Sequence, residues 1–250
     1  GGAGFIGSHV ADHLLRRGDA VTVVDDFNDY YAPEFKRLNI AAARQSADYR
    51  LAEGDITDLK FLRTTVKAAR PDVIIHLAAR AGVRPSVARP GLYQRVNVEG
   101  TLNALECARE FGVRKFILGS TSSVYGLNAR VPFREDDALL RIASPYAATK
   151  LGAEALCQSY AHLYGMEVAV LRFFSVYGPR GRPDMAIYQF TERICGGHPI
   201  TLFGDGSSER DYTHVDDIVQ GVLAATVRKF GFEIFNLGES QTTSLRHLVE

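Results

Sequence analysis

Gly1-Gly2-Ala3-Gly4-Phe5-Ile6-Gly7-Ser8-His9-Val10-Ala11-Asp12-His13-Leu14-Leu15 opens the chain, and how it is read decides the fold. Glycines at 1, 4 and 7 run straight into a stretch whose apolar positions fit a helix closed by Gly18. Such glycines let a backbone approach a phosphate closely. The helix N-terminus behind them offers N–H groups and the positive end of a dipole. A glycine triplet alone is only a common turn. Here a β-branched strand, 20–24, follows and ends in Asp25. An acid about twenty residues on, at the tip of a second strand, is where a dinucleotide fold holds a ribose 2′-hydroxyl. A carboxylate there repels a 2′-phosphate, so the spacing favours NAD over NADP.

Working outward, strand and helix signals alternate. Residues 49–53 read as a short strand, and Thr57 or Asp58 caps a helix through Ala69 that stops before Pro71. Residues 73–79 form a continuous apolar strand of the kind covered on both faces, with His76 as a core histidine. Helix 97–111, strand 115–120 and strand 168–174 continue the pattern. The expectation is an α/β protein with a Rossmann-type, doubly wound parallel sheet. Residues 1–177 would form the nucleotide half. Residues 178–250 would form a smaller, incomplete substrate-binding region, with some elements returning to the main sheet: helix 185–195, strand 200–203, a turn at 204–206, a helix from Val215 and strand 232–237. A glycine loop of this kind should follow a strand, and none precedes Gly1. The chain also stops at Glu250 inside a helical pattern, so the reading is a fragment with its first strand and C-terminal tail missing.

The composition narrows the field. Twenty-nine Lys and Arg balance 29 Asp and Glu over 250 residues, so no charge field points to nucleic acid or a membrane surface. Cys107, Cys157 and Cys195 are odd in number and scattered. That argues against a disulfide framework or a metal site and for buried free thiols in a reducing, cytoplasmic setting. No apolar run approaches the roughly eighteen residues needed to span a bilayer.

Chemistry-bearing residues gather in Ser144-Pro145-Tyr146-Ala147-Ala148-Thr149-Lys150. With Ser144 as N-cap and Pro145 at the first helical position, Tyr146 and Lys150 share one face. A free tyrosine, with a pKa of roughly 10, is a poor base at neutral pH. A nearby ammonium is expected to pull that value down. Such a pair is common on exposed helices, and Ser120-Thr121-Ser122-Ser123 is on its own only turn chemistry. Their joint placement at the carboxyl ends of strands, where open α/β sheets bind ligands, gives them a second meaning. The Thr121 hydroxyl and the Tyr146 phenol can meet on one substrate oxygen.

These elements together resemble the extended short-chain dehydrogenase/reductase family, and within it the nucleotide-sugar epimerases and dehydratases. The resemblance rests on the glycine loop, Gly54-Asp55-Ile56, His76-Leu77-Ala78-Ala79, Asn97-Val98-x-Gly100-Thr101, Tyr146-x-x-x-Lys150 and Arg210-Asp211-Tyr212. It implies a catalytic Thr121, Tyr146 and Lys150, and a tightly bound NAD. The NAD would lie on Gly1, Gly4, Phe5, Ile6, Gly7, Asp25, Asp55, Ile56, Leu77, Ala78, Ala79, Asn97 and Lys150. It also implies a UDP-sugar substrate and a homodimer through the helices starting near Asn97 and Tyr146. Family dehydratases and decarboxylases carry an acid where this chain has Ser122 or Ser123, which favours epimerisation. Gly178 to Ala186, Ala81 to Ser86 and Asp26 to Tyr31 look like their counterparts in UDP-glucuronate 4-epimerases. That likeness implies substrate contacts from Arg84, Ser122, Ser123, Ser175, Arg182 and Arg210. Pro85 departs from it, because those enzymes often have tyrosine there. The competing readings are a neutral UDP-hexose or N-acetylhexosamine 4-epimerase, a decarboxylase, and a catalytically silent NAD-binding protein.

Overall fold

The computed structural model describes residues 1–127, 130–139, 141–202 and 204–250. Its first helix, α1 (Phe5–Arg17), starts where the glycines end. Gly18 closes α1 at φ 91°, its N–H bonding the Leu14 and Leu15 carbonyls, in a conformation side chains resist. Then follow β1 (Val21–Asp25), α2 (Pro33–Asn39), β2 (Tyr49–Glu53) and α3 (Leu59–Ala69). Asp58 caps α3 by accepting from the Phe61 N–H. β3 (Val73–His76) leads to two short helices, α4 (Val83–Ala88) and α5 (Pro90–Tyr93). A π-helical turn, Gln94–Glu99, runs on into α6 (Gly100–Glu110). β4 (Lys115–Thr121) ends in a single 3-10 turn, Ser122–Tyr125, and α7 (Pro145–Tyr164), β5 (Glu167–Phe173) and β6 (Ser175–Tyr177) come next. The remainder comprises α8 (Ala186–Cys195), β7 (Glu209–Arg210), β8 (Tyr212–His214), α9 (Val215–Val227), β9 (Phe232–Leu237), β10 (Thr243–Ser244) and α10 (Leu245–Val249).

β3, β4, β5 and β9 pair in that order, all parallel. Both faces of this sheet are covered, which is why the middles of β3, β4 and β5 read as apolar runs. Phe116, Leu118, Val168 and Val170 pack on one face with Leu105, Ala108 and Cys157 of α6 and α7. Ile117, Ala169 and Leu171 pack on the other with Val10 of α1 and Ile218 and Val222 of α9. β1 and β2 form a separate parallel pair, so the sheet stands in two pieces rather than one. The glycine loop lies between them. The Gly2 N–H donates to the Val24 carbonyl at 3.3 Å, and a Cβ on Gly1 would sit 2.5 Å from the Ala78 nitrogen.

Several expectations are corrected. β3 stops at His76 instead of Ala79, because the chain leaves the sheet there to wall a cleft. The helix expected over 97–111 begins earlier, as the π-turn. Residues 200–202 form no strand, and Phe203, the end of that expected strand, lies outside the described residues. Two small ladders, β6 with β8 and β7 with β10, stand apart from the main sheet, and β9 pairs within it. Cys107 and Cys157 are buried, but Cys195 is exposed. Among the described residues no helix is long and apolar enough to cross a membrane.

Candidate active site

The carboxyl ends of β1, β3 and β4 and the N-termini of α1 and α7 border one cleft. Its wall includes Gly1, Gly4, Phe5, Ile6 and Gly7 from the glycine loop, Asp25 and Asp55–Ile56 after β1 and β2, Leu77–Ala79 after β3, and Tyr146 and Lys150 from α7. A Cβ on Gly7 would fall 2.3 Å from the Gly1 carbonyl oxygen, so the loop admits no side chain there. At Gly4 the nearest atom would be that same oxygen at 3.4 Å, which leaves the backbone open beside the α1 N-terminus. A diphosphate fits such a cradle.

Asp25 is buried. Its Oδ2 accepts from the Ala3 N–H at 3.1 Å, and its Oδ1 accepts from the Phe27 N–H at 3.0 Å and from Lys36 Nζ at 3.3 Å. Burial alone would raise its pKa. Lys36 and the two N–H donors oppose that and favour the carboxylate. Lys36 also lines the cleft, and sequence reasoning missed it. The Asp55–Ile56 corner is held from beneath, because Asn103 Nδ2 donates to the Ile56 and Thr57 carbonyls at 3.1 and 3.2 Å.

Asn97, expected at the cofactor, bonds the segment after β3 and α7. Its Oδ1 accepts the Arg80 N–H at 2.7 Å, and its Nδ2 donates to the Arg80 carbonyl at 3.0 Å and to Thr149 Oγ1 at 3.1 Å. It straps the segment after β3 to α7 and is not part of the cleft wall. Thr101 Oγ1 donates to the Asn97 carbonyl at 2.6 Å, so its oxygen accepts from His76 Nε2 at 3.0 Å. Burial pushes that imidazole down to about 3, which fits a neutral core histidine.

At the reactive end, Ser144 Oγ accepts the Ala147 N–H at 3.1 Å and Pro145 starts α7. Tyr146 meets the Tyr93 ring edge-on at 6.2 Å. Thr121 ends β4 beside it, close enough to hydrogen-bond the phenol. Burial raises the Tyr146 pKa, and Thr121 and the Arg182 guanidinium pull it back. Lys150 lies one turn deeper, where Nζ donates to the Gly119 carbonyl at 2.5 Å. Burial lowers the Lys150 pKa to about 8, against the opposing charge of Glu154.

One further turn down α7, Glu154 forms a buried fork with Arg172 of β5: Nη2 to Oε2 at 2.8 Å and Nε to Oε1 at 3.2 Å. Ser120 Oγ donates to the same carboxylate. Arg172 Nη1 donates to the Tyr125 hydroxyl at 2.9 Å, and that hydroxyl donates to Asn236 Oδ1 at 2.7 Å. This floor ties α7 to β4, β5 and β9. Nothing in the motif spacing marked it.

The residues expected to touch substrate are spread out. Ser122 and Ser123 lie in the turn after Thr121, where the Thr121 hydroxyl donates to Ser123 Oγ and accepts the Ser123 N–H, both at 3.2 Å. Arg182 is in the wall of the cleft with Tyr146, forked onto Asp184 through Nε and Nη2 at 2.9 Å each. Ser175 and Arg210 line a second hollow with Tyr177, Met185, Tyr188 and Tyr212, on the other side of segment 178–185. Arg84 is exposed on α4, outside both cavities. Asp211, given no role of its own in the sequence, accepts from Thr213 Oγ1 and from the Glu239 and Ser240 N–H groups, fixing the loop that carries Arg210.

A family model described as the NAD dependent epimerase/dehydratase family matches residues 1–238. A UDP-glucuronate 4-epimerase of Thermodesulfobacterium geofontis is 44% identical over an alignment covering all of this chain and 77% of that protein. UDP-glucuronate 4-epimerase 4 of Arabidopsis thaliana is 42% identical, and the alignment covers all of this chain and 61% of that one. The solved UDP-glucose 4-epimerase of Thermotoga maritima, with UDP-glucose, superposes with a TM-score of 0.91 at 35% identity, covering 100% of this chain and 78% of that chain. The UDP-glucuronic acid 4-epimerase of Bacillus cereus, in complex with UDP-glucuronic acid and NAD, superposes with a TM-score of 0.90 at 36% identity, covering 98% and 78%.

Proposed function

The chain belongs to the NAD-dependent epimerase/dehydratase family, among its nucleotide-sugar 4-epimerases, and from that premise we propose that it inverts C4 of a UDP-hexuronic acid, interconverting UDP-glucuronate and UDP-galacturonate. NAD, held along the glycine loop with its ribose at Asp25, supplies the hydride acceptor and donor. The chain's own residues move the proton. Tyr146 takes it from the C4 hydroxyl and returns it to that same oxygen once the 4-keto sugar has turned its other face to the hydride donor. Thr121 shares the phenol's hydrogen bond, which favours the phenolate against the burial that opposes it. Lys150, anchored on Gly119, keeps an ammonium beneath the site. The second hollow, with Arg210 and Tyr212, takes the nucleoside diphosphate.

The observation that carries the hexuronate assignment is the Arg182 guanidinium in the same cleft wall as Tyr146, near enough for its charge to act on the phenol. A cation beside the reacting sugar suits a carboxylate at C5. The absence of an acid at 122 and 123 supports epimerisation over decarboxylation or dehydration. The neutral-hexose reading has one specific support: Asp184 already occupies two nitrogens of that guanidinium.

The test incubates the protein and NAD⁺ with UDP-glucuronate or UDP-glucose and resolves products by NMR, with Tyr146→Phe as the inactive control. UDP-galacturonate from the first substrate supports the proposal. UDP-galactose from the second alone moves the assignment to neutral sugars, and UDP-xylose would mean decarboxylation.

A further inference from the structure

Arg182, Asp184 and Tyr30 form a clasp whose chemistry reaches further than the assignment above. Tyr30 sits in the loop after β1, in the nucleotide half, while Arg182 and Asp184 belong to the segment that follows Gly178. The Tyr30 hydroxyl donates to Asp184 Oδ2 at 3.1 Å, and the Arg182 guanidinium lies 5.7 Å from the Tyr30 ring centroid. Gly82, at φ 93°, makes room for this contact, since a Cβ there would stand 2.7 Å from the Tyr30 oxygen. Tyr30 and Arg182 both line the cofactor cleft. The clasp therefore joins the two sides of the chain at the wall of the reaction site.

A guanidinium is a planar fork with five N–H donors and more than one edge that can take a carboxylate. Asp184 occupies the Nε–Nη2 edge with two bonds of 2.9 Å. A substrate carboxylate arriving at Arg182 thus meets a cation whose charge is already balanced by the protein, and it must sit near a like charge. A neutral sugar meets no such opposition. We infer that Asp184 is a positioning residue that sets substrate specificity: by holding one edge of Arg182 it limits how strongly that guanidinium favours a substrate bearing a carboxylate, and Tyr30 holds Asp184 in place to do so. This rests on the hexuronate reading of Arg182 and extends it to the residue that tempers it. Because the Arg182–Asp184 pair is partly exposed, the effect is moderate.

The experiment compares kcat/KM for UDP-glucuronate and UDP-glucose in the holoenzyme and in Asp184→Asn, Asp184→Glu, Tyr30→Phe and Arg182→Met. Asp184→Asn is expected to raise the glucuronate-to-glucose ratio by roughly three- to tenfold, mainly through a lower KM for UDP-glucuronate, the scale of one partly exposed ion pair. Tyr30→Phe keeps the ring against Arg182 but frees Asp184, so it should move the ratio the same way by less. Asp184→Glu should restore the original ratio. A purely structural role would lower both substrates together. A ratio in Asp184→Asn that stays within about twofold, or falls, overturns the inference. Arg182→Met tests the parent reading separately: if it leaves the ratio unchanged, the hexuronate assignment of Arg182 fails, whatever Asp184 does.

Discussion

Replacing Lys150 with methionine should make the protein more stable while removing its activity. Burial lowers this lysine from its ordinary value near 10.5 to about 8. In the unfolded chain it returns to the ordinary value. At about 1.4 kcal/mol per pH unit, folding with that proton in place costs on the order of 3 kcal/mol. The sign follows from proton counts. Below pH 8 both states are protonated and the full cost is present. Between about 8 and 10.5 the unfolded chain binds more protons than the native one, so stability rises with pH. Above 10.5 the cost is gone. Methionine removes the charge but leaves the buried Gly119 carbonyl without its ammonium donor, a loss of about 1 kcal/mol. The net gain at pH 7 is therefore about 2 kcal/mol, or roughly 4–8 °C in melting temperature for a chain of this size. Urea unfolding of the two proteins, stripped of cofactor, at pH 7 and pH 10 measures it, and product NMR should show a rate loss of about 10²–10⁴-fold. A variant less stable than the parent at pH 7, or a difference that does not shrink between the two pH values, would refute the reasoning.

Arg172→Met should destabilise by about 3–5 kcal/mol, because it leaves the Glu154 carboxylate buried and unpaired, whereas the double variant with Glu154→Leu should recover most of that loss; denaturant midpoints of the two variants decide it. Asp25→Asn should weaken NAD binding about tenfold or more and narrow its preference over NADP, since a charge-assisted acceptor and the repulsion of a 2′-phosphate go together. Equilibrium dialysis with each dinucleotide reads this, and an unchanged NAD-to-NADP ratio would remove Asp25 from the ribose site.

What the sequence made legible was what repeats at short range. β4 and β5 stood out because both their faces are buried, so Phe116–Leu118 and Val168–Leu171 read as apolar runs. The start of α7 was written in Ser144 and Pro145, and the start of α1 in the glycines. The end of β3 was not legible. Leu77, Ala78 and Ala79 are as apolar as the strand before them, yet they leave it to line the cleft, and composition cannot separate a strand from an apolar wall. Residues 200–202 failed for a similar reason, since a short apolar run is not a strand without a partner to pair with. In the site, motif spacing led to Tyr146, Lys150 and Asp25, while the resemblance supplied Asn97, whose amide bonds Arg80 and Thr149. Lys36, Asp184 and Glu154 went unseen because each acts through a residue distant in sequence or through a fold contact no local pattern encodes.

α7 shows how these two kinds of information meet. Tyr146, Lys150, Glu154 and Cys157 descend along one side of the helix, from the cleft into a core of apolar side chains. A polar stripe running into that core would be costly unless each group found a partner. β4 supplies the Gly119 carbonyl and the Ser120 hydroxyl, and β5 supplies Arg172. Glu154 then serves twice. It neutralises Arg172, and its charge raises the pKa of Lys150 against the burial that lowers it. Without that carboxylate, Lys150 would shed its proton closer to neutrality and the site would lose the cation it needs at working pH. The buried ion pair is therefore not an ornament of the core. It lets a charged lysine sit where an apolar residue would be more stable, and it does so from one helical turn below the reaction.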